Sequence, residues 1–245
     1  MEVALKRDER IDDLERNGYR IIQNTRGFCF GMDAVLLSGF VKAGKKDRII
    51  DLGTGTGIIP ILLRAKTGST DITGLEIQEE SWEMACRSVM LNDLQQEVHI
   101  IHGDIRNAAE IFGKGCFDVV TSNPPYMKAG AGLVNPADAK AIARYEVACT
   151  FEELASRSAA LLKSGGKFFL VHRPERLAEI IDVLRSYSLE PKRLRMVHSF
   201  ADGDAVMFLM EAARGGRSGM KVEKPLIIYR APGEYTDEID QIYRF

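Results

Sequence analysis

Asp51-Leu-Gly-Thr-Gly-Thr-Gly57 decides the fold of this chain. Residues 48–52, which run into it, read as a strand, and residues 57–66, which run out of it, read as a helix. Glycines between the two let the backbone bend tightly and let a ligand come close to the main chain. The helix start adds unpaired N–H groups and a positive dipole end. The stretch therefore predicts a nucleotide-like cofactor held at the carboxyl end of a strand.

Outward from the loop the same alternation repeats. Residues 72–76, 98–102, 117–122 and 167–172 read as further strands. Helical stretches at 79–92, 105–112 and 151–162 separate them, and Gly165-Gly166 is expected to cap the last. After a helix at 177–186, residues 194–200 and 205–212 form a hairpin around Ala201-Asp-Gly-Asp204. The expected fold class is α/β: a doubly wound, mostly parallel seven-stranded sheet with an antiparallel C-terminal hairpin.

Three segments are expected: an extension at 1–47, the main domain at 48–212, and a tail at 213–245. Within the extension, residues 5–16 mix charges with Leu5, Ile11 and Leu14 and read as a surface helix. Tyr19-Arg-Ile-Ile-Gln23 and Phe28-Cys-Phe30 read as short strands, and residues 32–41 as a buried helix bordering the cofactor site. The tail opens on a Gly- and Lys/Arg-rich loop at 213–224 and has one more short strand at 226–229.

Bulk composition narrows the class. At 245 residues with 45% hydrophobic and 28% charged side chains, the chain is large enough to bury a real core. A net charge of -2 predicts no strong global attraction to nucleic acid, although a local basic face is compatible with it. Cys29, Cys86, Cys116 and Cys149 form no metal-ligating spacing, so buried free thiols and no metal are expected. The charged N-terminus has no apolar signal region and no run is long enough to span a membrane, which predicts a cytoplasmic protein.

Acids stand where successive strands end. Glu76, followed by Ile77, is placed to accept both hydroxyl hydrogens of a ribose, a geometry that serves NAD as well as S-adenosylmethionine. Three details favour the sulfonium cofactor. The loop reads Asp-x-Gly-x-Gly-x-Gly; Asp51 at its start would repel a pyrophosphate yet suit an amino-acid ammonium; and Asp104-Ile105 after the third strand offers an acceptor to an adenine amino group. The expected cofactor contacts are Asp51, Gly53, Thr54, Gly55, Gly57, Glu76, Ile77, Asp104 and Ile105, with Asn123.

Asn123-Pro124-Pro125-Tyr126 follows the fourth strand and supplies the chemistry. An exocyclic amine on adenine, or an amide nitrogen, has its lone pair delocalised and must pyramidalise to attack a methyl group. The Asn123 side-chain oxygen and the Pro124 carbonyl, its direction fixed by the rigid Pro-Pro backbone, are two acceptors for the amine hydrogens. Tyr126 offers a ring for a flat base. A sulfonium leaving group needs no strong base, so in-line positioning carries much of the rate.

With DLGTGTG, LEIQ, GDI and NPPY in this order, the chain resembles class I S-adenosylmethionine-dependent N-methyltransferases of the methyltransferase small domain group over roughly residues 18–212. Phe30-Gly-Met-Asp33-Ala-Val-Leu-Leu37 and Ala143-Arg-Tyr-Glu146 resemble the tRNA1(Val) adenosine-37 N6-methyltransferases in particular. The resemblance implies a Rossmann-like sheet, a tRNA substrate, and Asn123 to Tyr126 gripping the target adenine. It also implies a contact from Asp33 to the cofactor's amino-acid end, and a plain helix N-cap is the alternative reading of that residue.

A partly stacked anticodon-loop adenine must be splayed into the pocket, so phosphate contacts are expected from basic residues around it. Candidates are Arg26, Lys128 and Arg144, with Lys192 and Arg193 from residues 185–230, which hold nine Lys/Arg against five Asp/Glu. The alternatives are glutamine N5-methylation on a protein such as a release factor, an rRNA base, and a DNA adenine. The first enzymes also use NPPY but carry an N-terminal recognition domain, and only about 30 residues precede Phe30 here. A nicotinamide oxidoreductase would need a proton relay that is not evident, and a catalytically silent RNA-binding subunit would not need intact loop and NPPY motifs.

Overall fold

The computed structural model describes residues 3–26, 31–126 and 149–244. Its sheet is built around β3 (Ile49–Leu52), the strand that feeds the glycine loop. The chain leaves β3 through α2 (Ile58–Thr67) to β4 (Ile72–Glu76), then through α3 (Glu79–Leu91) to β5 (Val98–His102), always moving outward on one side. It returns through a short 3-10 turn at Ile105–Asn107 and α4 (Ala108–Phe112) to β6 (Phe117–Ser122), on the other side of β3. The reversal between β3 and β6 opens a crevice at their carboxyl ends, the place where open α/β sheets bind ligands.

Beyond β6 the sheet continues through α5 (Phe151–Leu161), β7 (Leu162–His172), α6 (Leu177–Ser186), β8 (Leu189–His198) and β9 (Ala205–Arg214). Its order is β5-β4-β3-β6-β7-β9-β8, parallel up to β7 and antiparallel at β7/β9 and β8/β9. These are the seven predicted strands. Two two-residue strands, β10 (Lys221–Val222) and β11 (Leu226–Ile227), add to β8 in parallel and bring the sheet to nine.

Apolar residues on both sides of the strands separate two core layers. Ile49, Phe169 and Val171 face α1 (Met32–Phe40) and α2, while Ile50, Phe168 and Leu170 face α5 and α6. Period-two alternation within an almost continuous apolar run produces this arrangement. The start of α5 is fixed by a capping box: Thr150 Oγ1 accepts from the Glu153 N–H at 3.2 Å, and Glu153 Oε2 accepts from the Thr150 N–H at 2.8 Å.

Three expectations are corrected. Residues 5–16 contain β1 (Glu9–Asp13), paired antiparallel with β2 (Arg20–Asn24), instead of a helix. Asp8, Glu15 and Asn17 adopt positive φ, which no helix accommodates, and Ile21 and Ile22 of β2 bury on opposite faces. Secondly, Gly165-Gly166 does not cap a helix. Strand β7 already begins at Leu162 and its register against β6 shifts between Phe117↔Leu162 and Val119↔Lys167. Thirdly, the tail is more than a loop and a strand: β12 (Tyr229–Ala231), β13 (Glu234–Tyr235) and α7 (Asp237–Arg244) follow. Ile239 of α7 joins the core layer of α1, where the backbone of Gly39 leaves room for Ile242. Phe28-Cys-Phe30 lies outside the described residues.

Candidate active site

At the crevice lies a cavity of about 340 Å³, within the range of small-molecule sites. Its walls include Gly53, Glu76, Ile77, Asp104, Ile105, Asn123, Pro124 and Pro125, eight of the residues expected from sequence. The loop takes its shape from Gly53 and Gly55, whose φ angles of 73° and 57° favour glycine. The N–H groups of Gly53 and Thr54 tie it to the Leu75 carbonyl at 2.9 and 3.1 Å. Gly57, the N-cap of α2, works through packing: a Cβ there would sit 3.1 Å from that of Ala85 on α3.

Glu76 is buried at the end of β4, its Oε2 accepting from the Gly55 N–H and its Oε1 from the Gln78 N–H, both at 2.8 Å. Burial raises its pKa, and these backbone hydrogen bonds oppose the rise. Each oxygen keeps lone-pair capacity for a further donor. Asp104 takes the Arg106 N–H on Oδ1 at 2.8 Å and its guanidinium on Oδ2, which holds the carboxyl below its usual range.

Asp51 is fully buried and is not among the cavity walls. Its Oδ1 accepts the Thr121 hydroxyl hydrogen at 2.7 Å, while Oδ2, like the buried hydroxyl of Thr54, has no hydrogen-bond partner among the described residues. Burial pushes the Asp51 carboxyl up to about 7, against the pull of the nearby Thr121 and Thr54 hydroxyls.

The set fits S-adenosylmethionine. A buried carboxylate with spare acceptors lies on the wall, a second acid lies beside the next strand end, and unpartnered polar atoms lie beneath the loop.

Ser122 Oγ fastens the end of β6 to β3 by donating to the Leu52 carbonyl at 2.8 Å. Asn123, Pro124 and Pro125 then enter the cavity wall, and Tyr126 follows them outside its lining. The Tyr126 hydroxyl lies 2.5 Å from Asp33 Oδ2 and 3.0 Å from Asn123 Oδ1. It has one hydrogen, and the closer, charged oxygen takes it. Burial, with the Asp33 charge next, raises the Tyr126 pKa. Asp33 thus meets the NPPY motif, and it is not the cap of α1, whose N-cap is Gly31. The Arg173 guanidinium covers one face of the Tyr126 ring at 5.0 Å.

The sequence reading missed the wall beyond NPPY: Thr150 and Phe151 at the start of α5, His172 at the end of β7, and the Arg176–Glu179 pair at 2.6 Å. Phe168-Phe-Leu-Val-His172 carries the one available signal, a polar ring ending a buried strand at the same sheet edge as the other strand-end groups. His172 Nδ1 accepts the Arg173 N–H at 2.7 Å, whereas Nε2 is buried without a partner among the described residues. An unpaired donor of this kind costs about 1–3 kcal/mol.

The structure brings none of the described RNA candidates to the cavity. Arg193 is taken up inside the fold by Glu211 at 2.6 Å and Glu223 at 2.8 Å, with its guanidinium over Phe40. Lys192 Nζ donates to the carbonyls of Arg217 and Gly219 and thereby pins the basic loop, and the exposed Arg26 pairs with Asp8 at 3.2 Å. Lys128, Arg144 and the Ala143–Glu146 stretch lie outside the described residues. Among the described residues, no cluster of His, Cys, Asp or Glu could hold a metal, and no helix is long and apolar enough to cross a membrane.

Known proteins agree with this geometry. The family model of the methyltransferase small domain matches residues 31–186. The tRNA1(Val) (adenine(37)-N6)-methyltransferase of Pedobacter heparinus is 27% identical over 219 residues, 89% of this chain and 91% of its own length. That of Dyadobacter fermentans is 30% identical over 209 residues, 84% of each chain. A solved structure titled a predicted O-methyltransferase, from Agrobacterium tumefaciens, superposes with a TM-score of 0.71 at 27% identity, covering 87% of this chain and 97% of its own. From the start of α1 through the glycine loop and NPPY to the end of α6, this chain therefore belongs to the methyltransferase small domain family, alongside the tRNA1(Val) (adenine(37)-N6)-methyltransferases.

Proposed function

We propose that this protein transfers the methyl group of S-adenosylmethionine to the N6 amine of an adenosine in tRNA, at position 37 beside the anticodon. The observation that carries the reading is the placement of Asn123 and Pro124 on the wall of the same cavity as Gly53 and Glu76. When bound, the cofactor supplies an electrophilic methyl group on a sulfonium that leaves as a neutral thioether. Glu76 would take the ribose hydroxyls, Asp104 and Ile105 the adenine end, and the loop from Asp51 to Gly57 the amino-acid end.

The remaining work falls to the NPPY motif. An NH2 group offers two hydrogens, and two acceptors, Asn123 Oδ1 and the Pro124 carbonyl, match them. Holding both hydrogens favours the pyramidal nitrogen that has a usable lone pair. A hydroxyl acceptor has one hydrogen and would need a base. Because the Tyr126 hydrogen goes to Asp33, the Asn123 oxygen keeps its lone pairs for the amine. With Arg173 over one face of the Tyr126 ring, the flat base stacks on the other. Asp33 is thereby a positioning residue for Tyr126.

RNA contact would come from cations near the cavity mouth together with Lys128 and Arg144, and a tRNA substrate would put the work in the cytoplasm. Labelled S-adenosylmethionine, bulk unmodified tRNA and mass spectrometry of the digested nucleosides test the reading. N6-methyladenosine is the expected product. Cofactor binding without label in tRNA would overturn the tRNA assignment and bring a protein glutamine amide or an rRNA base forward.

A further inference from the structure

His172 ends β7 at the sheet edge that carries Asn123, and no role described so far uses it. In the parallel pairing of β6 with β7, Ser122 stands beside Leu170, so His172 ends its strand level with the start of the NPPY motif. Alternation puts it on the face of Phe168 and Leu170, toward α5, where its ring lies 6.3 Å from that of Phe151. The Tyr126 ring stands edge-on to it at 5.3 Å and 65°. His172 is thus fully buried, is a wall of the cavity, and neighbours the ring on which the base would stack.

Its hydrogen is placed by its partners. Nδ1 accepts the Arg173 N–H at 2.7 Å, so an uncharged ring carries its hydrogen on Nε2. Burial, followed by the charge of Arg176, brings the imidazole down to about 4, against the weaker pulls of the Arg173 backbone and Glu179, so the ring is neutral at physiological pH. Its Nε2–H meets no acceptor among the described residues. A buried donor left over at a cavity wall has a ligand acceptor as its natural partner.

We propose that His172 is a specificity-determining residue whose Nε2–H donates to N1 of the target adenine, the ring nitrogen beside the reacting amine; this rests on the reading of the cavity as an adenine-N6 site. The Watson–Crick edge of adenine is a donor next to an acceptor. Asn123 and Pro124 take the donor, and His172 takes the acceptor. Guanine presents O6 and N1–H at the same places, which would set acceptor against acceptors and donor against donor.

The test uses the full chain and three synthetic anticodon stem-loop RNAs carrying adenosine, 1-deazaadenosine or 7-deazaadenosine at the target position. Wild-type protein should lose about 10- to 100-fold in kcat/KM on the 1-deaza RNA, and little on the 7-deaza RNA. His172→Phe should erase the difference between adenosine and 1-deazaadenosine, and His172→Gln, which keeps an N–H donor, should restore part of it. Cofactor affinity, read by calorimetry, should be the same in all three proteins. If His172→Phe does not fold, the wild-type series and His172→Gln still decide. Equal wild-type rates on the adenosine and 1-deaza RNAs, a penalty on the 7-deaza RNA instead, or an undiminished penalty in folded His172→Phe would overturn the assignment. Failure of wild-type protein to methylate even the adenosine RNA would remove the adenine reading, and this inference with it.

Discussion

Around β8 four cations of the predicted basic cluster are answered from within the chain. Arg193 lies between Glu211 and Glu223, Arg195 reaches Glu238 at 2.7 Å, Arg214 donates to the Leu162 carbonyl, and Lys192 holds two carbonyls of its own loop. At the carboxyl edge of β3, β6 and β7 the opposite holds. Asp51 Oδ2, Thr54 Oγ1 and His172 Nε2 are buried with no partner among the described residues. Both regions bury polar groups, but only the second leaves them unsatisfied. A satisfied buried pair fixes the fold, whereas an unsatisfied buried atom beside a cavity costs stability until a ligand arrives.

Removing one partner at β8 should have the largest effect. Arg193→Ala leaves Glu211 and Glu223 facing each other with little solvent, and truncating one side of a buried pair costs about 3–5 kcal/mol. Urea unfolding should show that loss, while kcat of the folded fraction stays at the wild-type value. A variant of normal stability that has lost RNA affinity would break the comparison, since Arg193 would then act as a ligand.

At the other edge, Asn123→Ala should lower kcat by about 100- to 1000-fold, the usual loss for one oriented polar group at a reacting centre. Unfolding and cofactor affinity should change little, because the Asn123 oxygen receives only the longer of the two Tyr126 contacts. Glu76→Gln comes next. Replacing a carboxylate acceptor by an amide should weaken cofactor binding by about 10- to 100-fold in calorimetry. Binding within a factor of about two of wild type would take Glu76 out of the cofactor site.

How far the sequence carried differs between the same two regions. The strand-end motifs were legible because glycines, acids and prolines there each have few other reasons to follow a buried strand. Asp33 was legible as a site residue but not as a partner of Tyr126, because the two are 93 positions apart and meet only when α1 packs at the sheet edge. Arg193 looked like a ligand because Glu211 lies 18 positions away on another strand, and local charge counting does not see cross-strand pairs. The hairpin at β1 was misread for a related reason. Only Ile11 and Leu14 are at a helical spacing, and the left-handed backbone of Glu15 and Asn17 leaves no mark in composition.

The smallest expected effect tests the unpartnered oxygen of Asp51. Burial lifts this carboxyl from 3.8 to about 7, with the Thr121 and Thr54 hydroxyls opposing. The folded pKa lies above the unfolded one, so the folded chain binds more protons between the two values. The stability this proton supplies is fully present below 3.8 and is lost as pH rises through about 7. A cofactor ammonium near Oδ2 favours the ionised form, so the same titration should appear in binding with the opposite sense. Between pH 6 and pH 8 the ionised fraction of a group titrating at 7 changes about tenfold, and cofactor affinity should tighten by about that factor. Asp51→Asn should bind more weakly at pH 8 and lose most of the slope. A slope unchanged in Asp51→Asn would assign it to another titrating group and leave Asp51 as a strut between β3 and β6.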